Sequence, residues 1–311
     1  VYKKPKGLFI MKENLTALMS AFLRAWHFER SESPVFCDRY ASQLLSEDFL
    51  GVAEELKKGI RFLKPDFKCS GEFVTDGELD AVLNETLSGA VLSRSAFFER
   101  ALKCEMRLGA KQAVMLGAGY DTLSLSLGEN MTVFEVDREK LFSDKLERAK
   151  KAGLSFGENV FFLPIDMENP KEIEKIGAHP AFSKEKKTVF SALGAVQYLS
   201  REGLFNMLSG ISKIACEGSA LVLDFEEPRE KTKESEMARS AGEAMTGGVS
   251  EMHLTKILED LGFIVTECLD GEELSREFFS HYNTLYPNKK LNCRKSVKCL
   301  SAVKKFGASV G

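Results

Sequence analysis

A short apolar run that turns at two glycines most constrains the fold of this 311-residue chain. Val114–Leu116 leads into Gly117, Ala118 and Gly119, and a second apolar run further on ends at Asp137. This order predicts a buried strand, a tight turn, a helix and a second buried strand that ends in a carboxylate. Glycine lets the backbone approach a ligand closely, and an acidic side chain at the next strand end can accept hydrogen bonds from both ribose hydroxyls. The pattern therefore favours a site for a cofactor that contains a nucleoside.

Beyond residue 109 the sequence alternates between apolar runs of strand length and amphipathic stretches of helix length. The candidate parallel strands are Ala113–Gly117, Thr132–Asp137, Val160–Ile165, Val189–Leu193 and Ala220–Phe225. Such alternation predicts a parallel sheet with right-handed helical crossovers. Two later strand-like runs, Phe263–Cys268 and Val297–Val303, lack a short helical crossover between them. We therefore expect the last strand to insert antiparallel to its neighbours.

This succession of elements predicts the fold class. It is typical of an α/β, Rossmann-like class I methyltransferase sheet, mostly parallel and seven-stranded, in which the last strand is antiparallel. A sheet that binds a nicotinamide cofactor would normally stay parallel. We expect residues 1–108 to form a helical N-terminal cover and residues 109–311 to form the cofactor-binding domain, the two folding as one compact unit.

The N-terminal part of the chain has the periodicity of helices. Across residues 12–108, apolar side chains such as Leu18 and Phe22 recur at steps of three and four, which gives each helix one apolar face. Pro34 fits the first turn of a second helix. Gly89 interrupts a later helical stretch, and we expect it to mark a break or a point of close packing.

Composition and spacing exclude several classes of protein. The 43 basic and 46 acidic residues leave a net charge of −3, so we expect no nucleic-acid partner. The seven cysteines are odd in number and form no Cys-x-x-Cys pair, which favours reduced thiols in the cytoplasm. The histidines have no partners at metal-ligand spacing, so we expect no metal site. The longest uncharged apolar run, Thr188–Ser200, has about thirteen residues against the roughly twenty that a membrane span needs, so we expect no membrane segment.

Several blocks together resemble the leucine carboxyl methyltransferase family. Leu116–Thr122 looks like the family's LGAGxDT motif, and the combination with the other blocks is more specific than any block alone. The other blocks are Thr16–Ala25 with Pro34–Ala41, similar to the opening helix and its F-D-x-x-A continuation; Ser93–Phe98, similar to an R-T-R-x-F helix; and Phe134–Asp137 and Leu163–Met167, at the second and third strand ends. The resemblance spans nearly the whole chain. It implies an O-methyltransferase that uses S-adenosylmethionine and releases S-adenosylhomocysteine.

The glycine turn and the acid after it are the first candidate cofactor contacts. Gly117, Ala118 and Gly119 would let the chain turn under the methionine part of the cofactor without a large side chain in the way. Asp137 would accept from the 2′ and 3′ ribose hydroxyls, although it could also cap the following helix. The same spacing suits NAD, but Thr122 stands where the third glycine of that fingerprint would be.

Four further residues complete the candidate cofactor set. Asp166 would accept from the adenine amino group while Met167 packs on the ring, and a turn or cap before the next helix is the rival role for Asp166. The resemblance assigns Arg94 to the methionine carboxylate, and a solvated surface arginine is its rival interpretation. Leu193 falls where the family usually has an acid, and Ala96 falls where it has a second arginine.

The candidate acceptor residues are weaker. Tyr198 follows the fourth strand and could orient the acceptor, while Arg24 or Arg39 could bind an acceptor carboxylate. We expect His27 to be structural, and no His–Asp or His–Glu pair is evident, which favours a carboxylate or an acidic hydroxyl on a small molecule or a peptide C-terminus. A non-catalytic protein that binds adenosylmethionine and a nicotinamide-dependent oxidoreductase remain alternatives. The sequence leaves the oligomeric state open.

Overall fold

The computed structural model describes residues 14–228 and 248–306. Predictions that concern residues 1–13, 229–247 and 307–311 lie outside the described residues. Within the described part, a single seven-stranded sheet has the strand order β3-β2-β1-β4-β5-β7-β6. The strands are β1 Gln112–Leu116, β2 Thr132–Asp137, β3 Val160–Pro164, β4 Thr188–Ala192, β5 Ala220–Glu226, β6 Phe263–Asp270 and β7 Val297–Lys304.

The predicted fold class is confirmed. Strands β1 to β5 pair in parallel, and β7 is antiparallel to both β5 and β6, between which it lies. Strands β1 and β4 are buried at every position, because helices cover both faces of a parallel sheet and leave no solvated side. The order of strands reverses at β1 and β4, and ligands of such sheets bind beyond the carboxyl ends of the strands at that point.

Helices precede the sheet, and others follow most of its strands. The prediction of a helix between β1 and β2 is wrong: the chain forms only the 3-10 helix Leu123–Leu125 there, and Oδ1 of Asp121 accepts the N–H of Leu123 at 2.7 Å in place of a helical hydrogen bond. The helices before β1 are α1 Leu15–Glu29, α2 Ala41–Leu45, α3 Glu47–Lys58, α4 Ile60–Leu63, α5 Asp76–Thr86 and α6 Ser88–Arg107. Those that follow are α7 Glu139–Lys151, α8 Pro170–Ala178, α9 Arg201–Ile214, α10 Glu251–Asp260, α11 Gly271–Leu274 and α12 Ser280–Leu285. In the described part of the chain, none of these helices is long and apolar enough to cross a membrane.

The helix expected to begin at Pro34 starts later, at Ala41. The preceding backbone is held by side chains instead: Val35 donates its N–H to Nε2 of His27 at 2.9 Å, and Ala41 donates its N–H to Oδ1 of Asp38 at 3.1 Å. Such side-chain hydrogen bonds compete with the helical ladder, and here they replace its first turns. The prediction of a helix across residues 34–40 is therefore wrong.

Gly89 is a point of close packing near the start of α6. A Cβ atom at this position would lie 1.9 Å from the carbonyl oxygen of Asn292 and 3.1 Å from Cα of Cys293. No side chain larger than hydrogen fits there, so the backbone of residues 292–293, just before β7, lies directly against α6. This contact fixes the segment before β7 relative to the helix.

A fully buried ion pair joins β2 to α7. Nζ of Lys145 lies 2.5 Å from Oε2 of Glu135, and neither side chain is exposed to solvent. Ser124, in the short 3-10 helix after the glycine turn, donates its hydroxyl to Oε1 of the same glutamate at 2.5 Å. The carboxylate of Glu135 therefore connects β2, α7 and the segment that follows the glycine turn.

The buried imidazole of His27 should make stability depend on pH. Burial lowers the pKa of His27 to about 4. The unfolded chain therefore binds a proton below about pH 6.5 and the folded chain only near pH 4, so stability should fall as the pH falls between these values. We expect wild type to lose about 2 kcal/mol more than His27→Gln between pH 7 and pH 5, as measured by denaturant unfolding. Equal losses in the two proteins would contradict this expectation.

Candidate active site

A cavity of about 910 Å³ lies at the carboxyl ends of the parallel strands, with α1 and α6 contributing to its wall. Nearly every residue singled out in the sequence lines it. These are Arg24, Arg94, Gly117, Ala118, Gly119, Asp137, Asp166, Met167, Leu193 and Tyr198. Arg39 differs from them, because it is exposed on the loop before α2 and does not line the cavity.

The glycine turn after β1 requires glycine at both positions. Gly117 has φ +73° and Gly119 has φ +52°, a region that other residues rarely adopt. A Cβ atom on Gly117 would lie 2.9 Å from Cβ of Ala195, and one on Gly119 would lie 3.3 Å from Cβ of Ala17. The turn is therefore packed between the loop after β4 and helix α1, with only backbone at these two positions.

The carboxylate of Asp137 is bound to the glycine turn. Oδ2 accepts the N–H of Gly119 at 2.8 Å, and Oδ1 accepts the N–H of Arg138 at 2.8 Å. The N-cap of α7 is Arg138, so Asp137 does not fill the alternative capping role. Each carboxylate oxygen has two lone pairs, so both can accept a further hydrogen bond. Its position at the end of β2 is the one that a ribose-binding acid requires.

Asp166 and Met167 follow β3 and line the cavity beside the glycine turn. Oδ1 of Asp166 accepts the N–H of Glu168 at 3.0 Å, which makes the local turn foreseen as its rival role. The N-cap of α8 is Asn169 rather than Asp166. Cε of Met167 comes within 3.6 Å of the place where a Cβ on Gly117 would be. The thioether and the glycine turn therefore flank the same part of the cavity.

Arg94 of α6 is held by two partners that the sequence did not indicate. Nη2 donates to Oγ of Ser20 at 2.6 Å, and Nη1 lies 3.4 Å from Oδ2 of Asp224, which is buried at the end of β5. The N–H of Gly194 donates to Oδ1 of the same aspartate at 2.5 Å. Burial raises the pKa of Asp224, and the charge of Arg94 opposes that shift. With its side chain only 14% exposed, Arg94 is a wall residue of the cavity, not a solvated surface arginine.

A substitution at Gly194 should test the position of Arg94. A Cβ on Gly194 would lie 2.7 Å from Nη2 of Arg94, so Gly194→Ala should displace the guanidinium and weaken binding of S-adenosylhomocysteine about tenfold or more. Gly153→Ala is a matched control, because Gly153 has φ +69° against +67° at Gly194 but would meet no atom within 4 Å. Both variants carry the same backbone strain. Equal affinities in a calorimetric titration would show that Arg94 does not contact the ligand.

Arg24 is buried in the wall and bound to protein groups. Nε donates to Oδ2 of Asp38 at 2.8 Å, and Nη2 donates to the carbonyl oxygen of Tyr120 at 2.9 Å. Thr122 donates its hydroxyl to Oδ1 of Asp38. We call these four residues the Asp38 network. It ties α1 to the glycine turn, and this geometry favours a structural role for Arg24 over the predicted contact with an acceptor.

Tyr198 lies on the loop after β4. It ends the 3-10 helix Val196–Tyr198, is half-buried and lines the cavity together with Leu193. No histidine lines this cavity in the described part of the chain. Among the same residues, no group of three or more histidine, cysteine, aspartate or glutamate side chains is arranged to hold a metal ion.

The sheet order, the antiparallel β7 and the cavity at the strand ends define a class I methyltransferase fold. Comparison with known proteins identifies the family. The family model described as leucine carboxyl methyltransferase matches residues 17–212. This chain belongs to the leucine carboxyl methyltransferase family.

Individual relatives agree with this membership. YktD of Bacillus subtilis (strain 168), named as a candidate S-adenosyl-L-methionine-dependent methyltransferase, is 29% identical over 283 residues, which cover 87% of this chain and 92% of YktD. A similarly named protein of Mycobacterium ulcerans (strain Agy99) is 25% identical over 260 residues, 80% of this chain and 76% of that protein. The crystal structure of a DUF574 family protein from Streptomyces avermitilis MA-4680 superposes with a TM-score of 0.53 at 14% identity, covering 79% of this chain and 97% of that one. At that identity the structural likeness supports the fold alone.

Proposed function

We propose that this chain, an S-adenosylmethionine-dependent methyltransferase, methylates an oxygen of a carboxylate or an acidic hydroxyl on a small molecule or a peptide C-terminus. The observation that carries the proposal is the cavity wall, which in the described part of the chain contains four arginines that could bind an anion and no histidine that could act as a base, alongside six carboxylates. A carboxylate is ionised at neutral pH and needs no general base, whereas an alcohol would need one. Such a wall therefore favours an acceptor that is already acidic.

The residues at the strand ends fit the cofactor. Gly117, Ala118 and Gly119 leave only backbone and one methyl group at the turn, where the methionine part would lie. The Asp137 carboxylate would accept from the ribose hydroxyls, and its bond to the N–H of Gly119 holds it in place for this role. The Arg94 guanidinium would bind the methionine carboxylate.

Other residues would bind the adenine end of the cofactor and line the part of the cavity that receives the acceptor. In this proposal Asp166 and Met167 bind the adenine, and Leu193 packs beside the cofactor. Tyr198 lines the cavity after β4 and would orient the acceptor through its hydroxyl. Arg39 has no place in this arrangement, because it lies outside the cavity.

When bound, S-adenosylmethionine supplies a methyl group on a cationic sulfur, and its transfer to an acceptor oxygen leaves S-adenosylhomocysteine. The protein contributes alignment and exclusion of water. Leu15, Met19 and Leu23 of α1 line the cavity, so apolar side chains form the wall that this helix provides. The Asp38 network joins α1 to the glycine turn, so the apolar wall and the turn keep a fixed position relative to each other.

The two alternatives differ in what they predict. A nicotinamide-dependent oxidoreductase is at odds with family membership and with the antiparallel β7. A non-catalytic protein would bind S-adenosylmethionine without turnover. Two departures motivate this second alternative: Leu193 at the place of the family's usual acid and Ala96 at the place of its second arginine.

The test has a binding arm and a transfer arm. Calorimetry should show saturable binding of S-adenosylhomocysteine and no response to NAD. Radiolabelled S-adenosylmethionine should then label N-acetylleucine, octanoate or benzoate but not the matching primary amides. Label on neutral acceptors alone would overturn the acidic-acceptor proposal. Binding without transfer to any acid would favour the non-catalytic alternative.

A further inference from the structure

An ion pair between Glu226 and Arg294 lies in the cavity wall. From sequence, Glu226 suggests only a solvated turn near the rim after the fifth strand, and nothing there points to Arg294. Nη2 of Arg294 donates to Oε1 of Glu226 at 2.7 Å. Both residues line the cavity, and their side chains are 32% and 20% exposed. The pair is thus accessible from the cavity and is not sealed in the core.

Neighbouring backbone segments hold the backbone around this ion pair in place. Glu226 is the last residue of β5, and the carbonyl oxygen of Arg294 accepts the N–H of Val297, the first residue of β7, at 2.9 Å. A Cβ on Gly271 would lie 1.9 Å from that same carbonyl oxygen. On the other side, Gly89 admits Asn292 directly against α6. Arg294 therefore projects from a rigid segment, as a specificity residue should.

The other three arginines of the wall are committed to different tasks. Arg24 binds Asp38 and the Tyr120 carbonyl, and Arg94 binds Ser20 beside Asp224. Arg138 directly follows Asp137 at the end of β2, on the side where the ribose would lie, and its Nη2 donates to Oδ1 of Asn14 at 3.2 Å. Arg294 is the wall arginine that lies at the end of β5, next to the loop after β4. The proposed placement puts the ribose at the end of β2 and the adenine after β3, which leaves the ends of β4 and β5, on the other side of the switch point, for the acceptor.

We propose that Arg294, oriented by Glu226, binds the anionic group of the methyl acceptor. The inference rests on the proposed function and names the residues that recognise the acceptor. An arginine that a carboxylate already orients loses little conformational freedom when it binds an anion. Glu226 is a positioning residue, since it acts through Arg294.

The neighbouring wall indicates the rest of the acceptor. Ala90 and Val91 follow Gly89 in α6 and line the cavity, and Gly89 contacts the backbone just before Arg294. An apolar part of the wall therefore lies close to the segment that carries Arg294. This combination suits an organic acid with an apolar body, whose carboxylate faces Arg294 and whose hydrocarbon part packs on α6.

A binding experiment tests the proposal without turnover. Protein saturated with S-adenosylhomocysteine is titrated with N-acetylleucine, octanoate or benzoate and with each matching primary amide. We expect at least one acid to bind about tenfold or more tightly than its amide, and we expect Arg294→Met to abolish that preference. Arg294→Lys should restore part of it, because the charge is kept. Loss of the preference in Arg294→Met with unchanged affinity for S-adenosylhomocysteine would separate acceptor binding from damage to the fold.

Steady-state kinetics, with an acid that the protein methylates as the substrate, provide the second readout. Glu226→Gln and Arg294→Met should raise the KM for the acid about tenfold or more with a smaller change in kcat, because the lost contact is made in both the bound and the reacting states. Arg100→Met is the control, since Arg100 forms partly exposed ion pairs with Glu267 and Glu277 and does not line the cavity. If acids are methylated and Arg294→Met matches wild type, this inference fails while the proposed function stands. If only neutral acceptors bind and react, both fail.

Discussion

Asp137→Ala should weaken binding of S-adenosylhomocysteine by about 2–4 kcal/mol, because two charge-assisted hydrogen bonds to the ribose would be lost. The structure adds a second cause to this expectation. Oδ2 of Asp137 also accepts the N–H of Gly119, so the alanine variant loosens the glycine turn on which the cofactor would rest. Isothermal titration of wild type and variant measures the effect directly.

Asp137→Asn separates the two causes. The amide keeps one carbonyl oxygen, which can still accept from Gly119, but it loses the charge and the oxygen that accepts the N–H of Arg138. We expect its melting temperature without ligand to lie between those of the alanine variant and wild type while its affinity falls. If both variants bind S-adenosylhomocysteine as wild type does, Asp137 serves only the turn.

Lys145→Met should lower the free energy of unfolding by about 3–5 kcal/mol, because it leaves the carboxylate of Glu135 buried without its cationic partner. Chemical denaturation provides the measurement. The matched control is Lys151→Met on the same helix, whose partner is Glu147. Both side chains of that pair are largely exposed, so the stability should remain almost unchanged.

The double variant Glu135→Gln/Lys145→Met tests the reason for this loss. Removing the buried charge together with its partner should recover part of the stability, since the unpaired carboxylate is what destabilises the single variant. A double variant as unstable as Lys145→Met would indicate that the lysine acts through packing instead. The aromatic rings of Phe156 and Phe162, 5.7 and 5.9 Å from Nζ of Lys145, would then be the partners to examine.

Local pattern was sufficient to predict the sheet. Each buried strand is a short apolar run between turn residues, and the missing crossover before Val297 was enough to predict an antiparallel β7. The tight turn at Gly117 and Gly119 and the place of Asp137 at the end of β2 were also predictable, because paired glycines after an apolar run mark a turn and an acid marks the end of the next run. All three residues lie in one strand–turn–strand segment, residues 112–137.

Long-range pairs left no such signal. Asp224 lies within the apolar run of β5, and nothing near it in the sequence indicates that Arg94, 130 positions away, is its partner. Arg294 likewise follows a stretch without periodicity, and its place in the cavity depends on how β7 inserts. The helix expected at Pro34 failed for a related reason, because His27 takes the N–H of Val35. A charged residue in a strand or a loop shows its role only when the fold places its partner beside it.

The Asp38 network also bears on the order in which the protein assembles. Arg24 and Asp38 lie 14 positions apart and can meet early, but Tyr120 lies 96 positions beyond Arg24. Contacts of such separation form only after the intervening chain has been brought together. During synthesis α1 leaves the ribosome well before the glycine turn, so its buried arginine must wait for that turn to supply the Tyr120 carbonyl. Helix α1 therefore completes its contacts only after nearly a hundred further residues have been made.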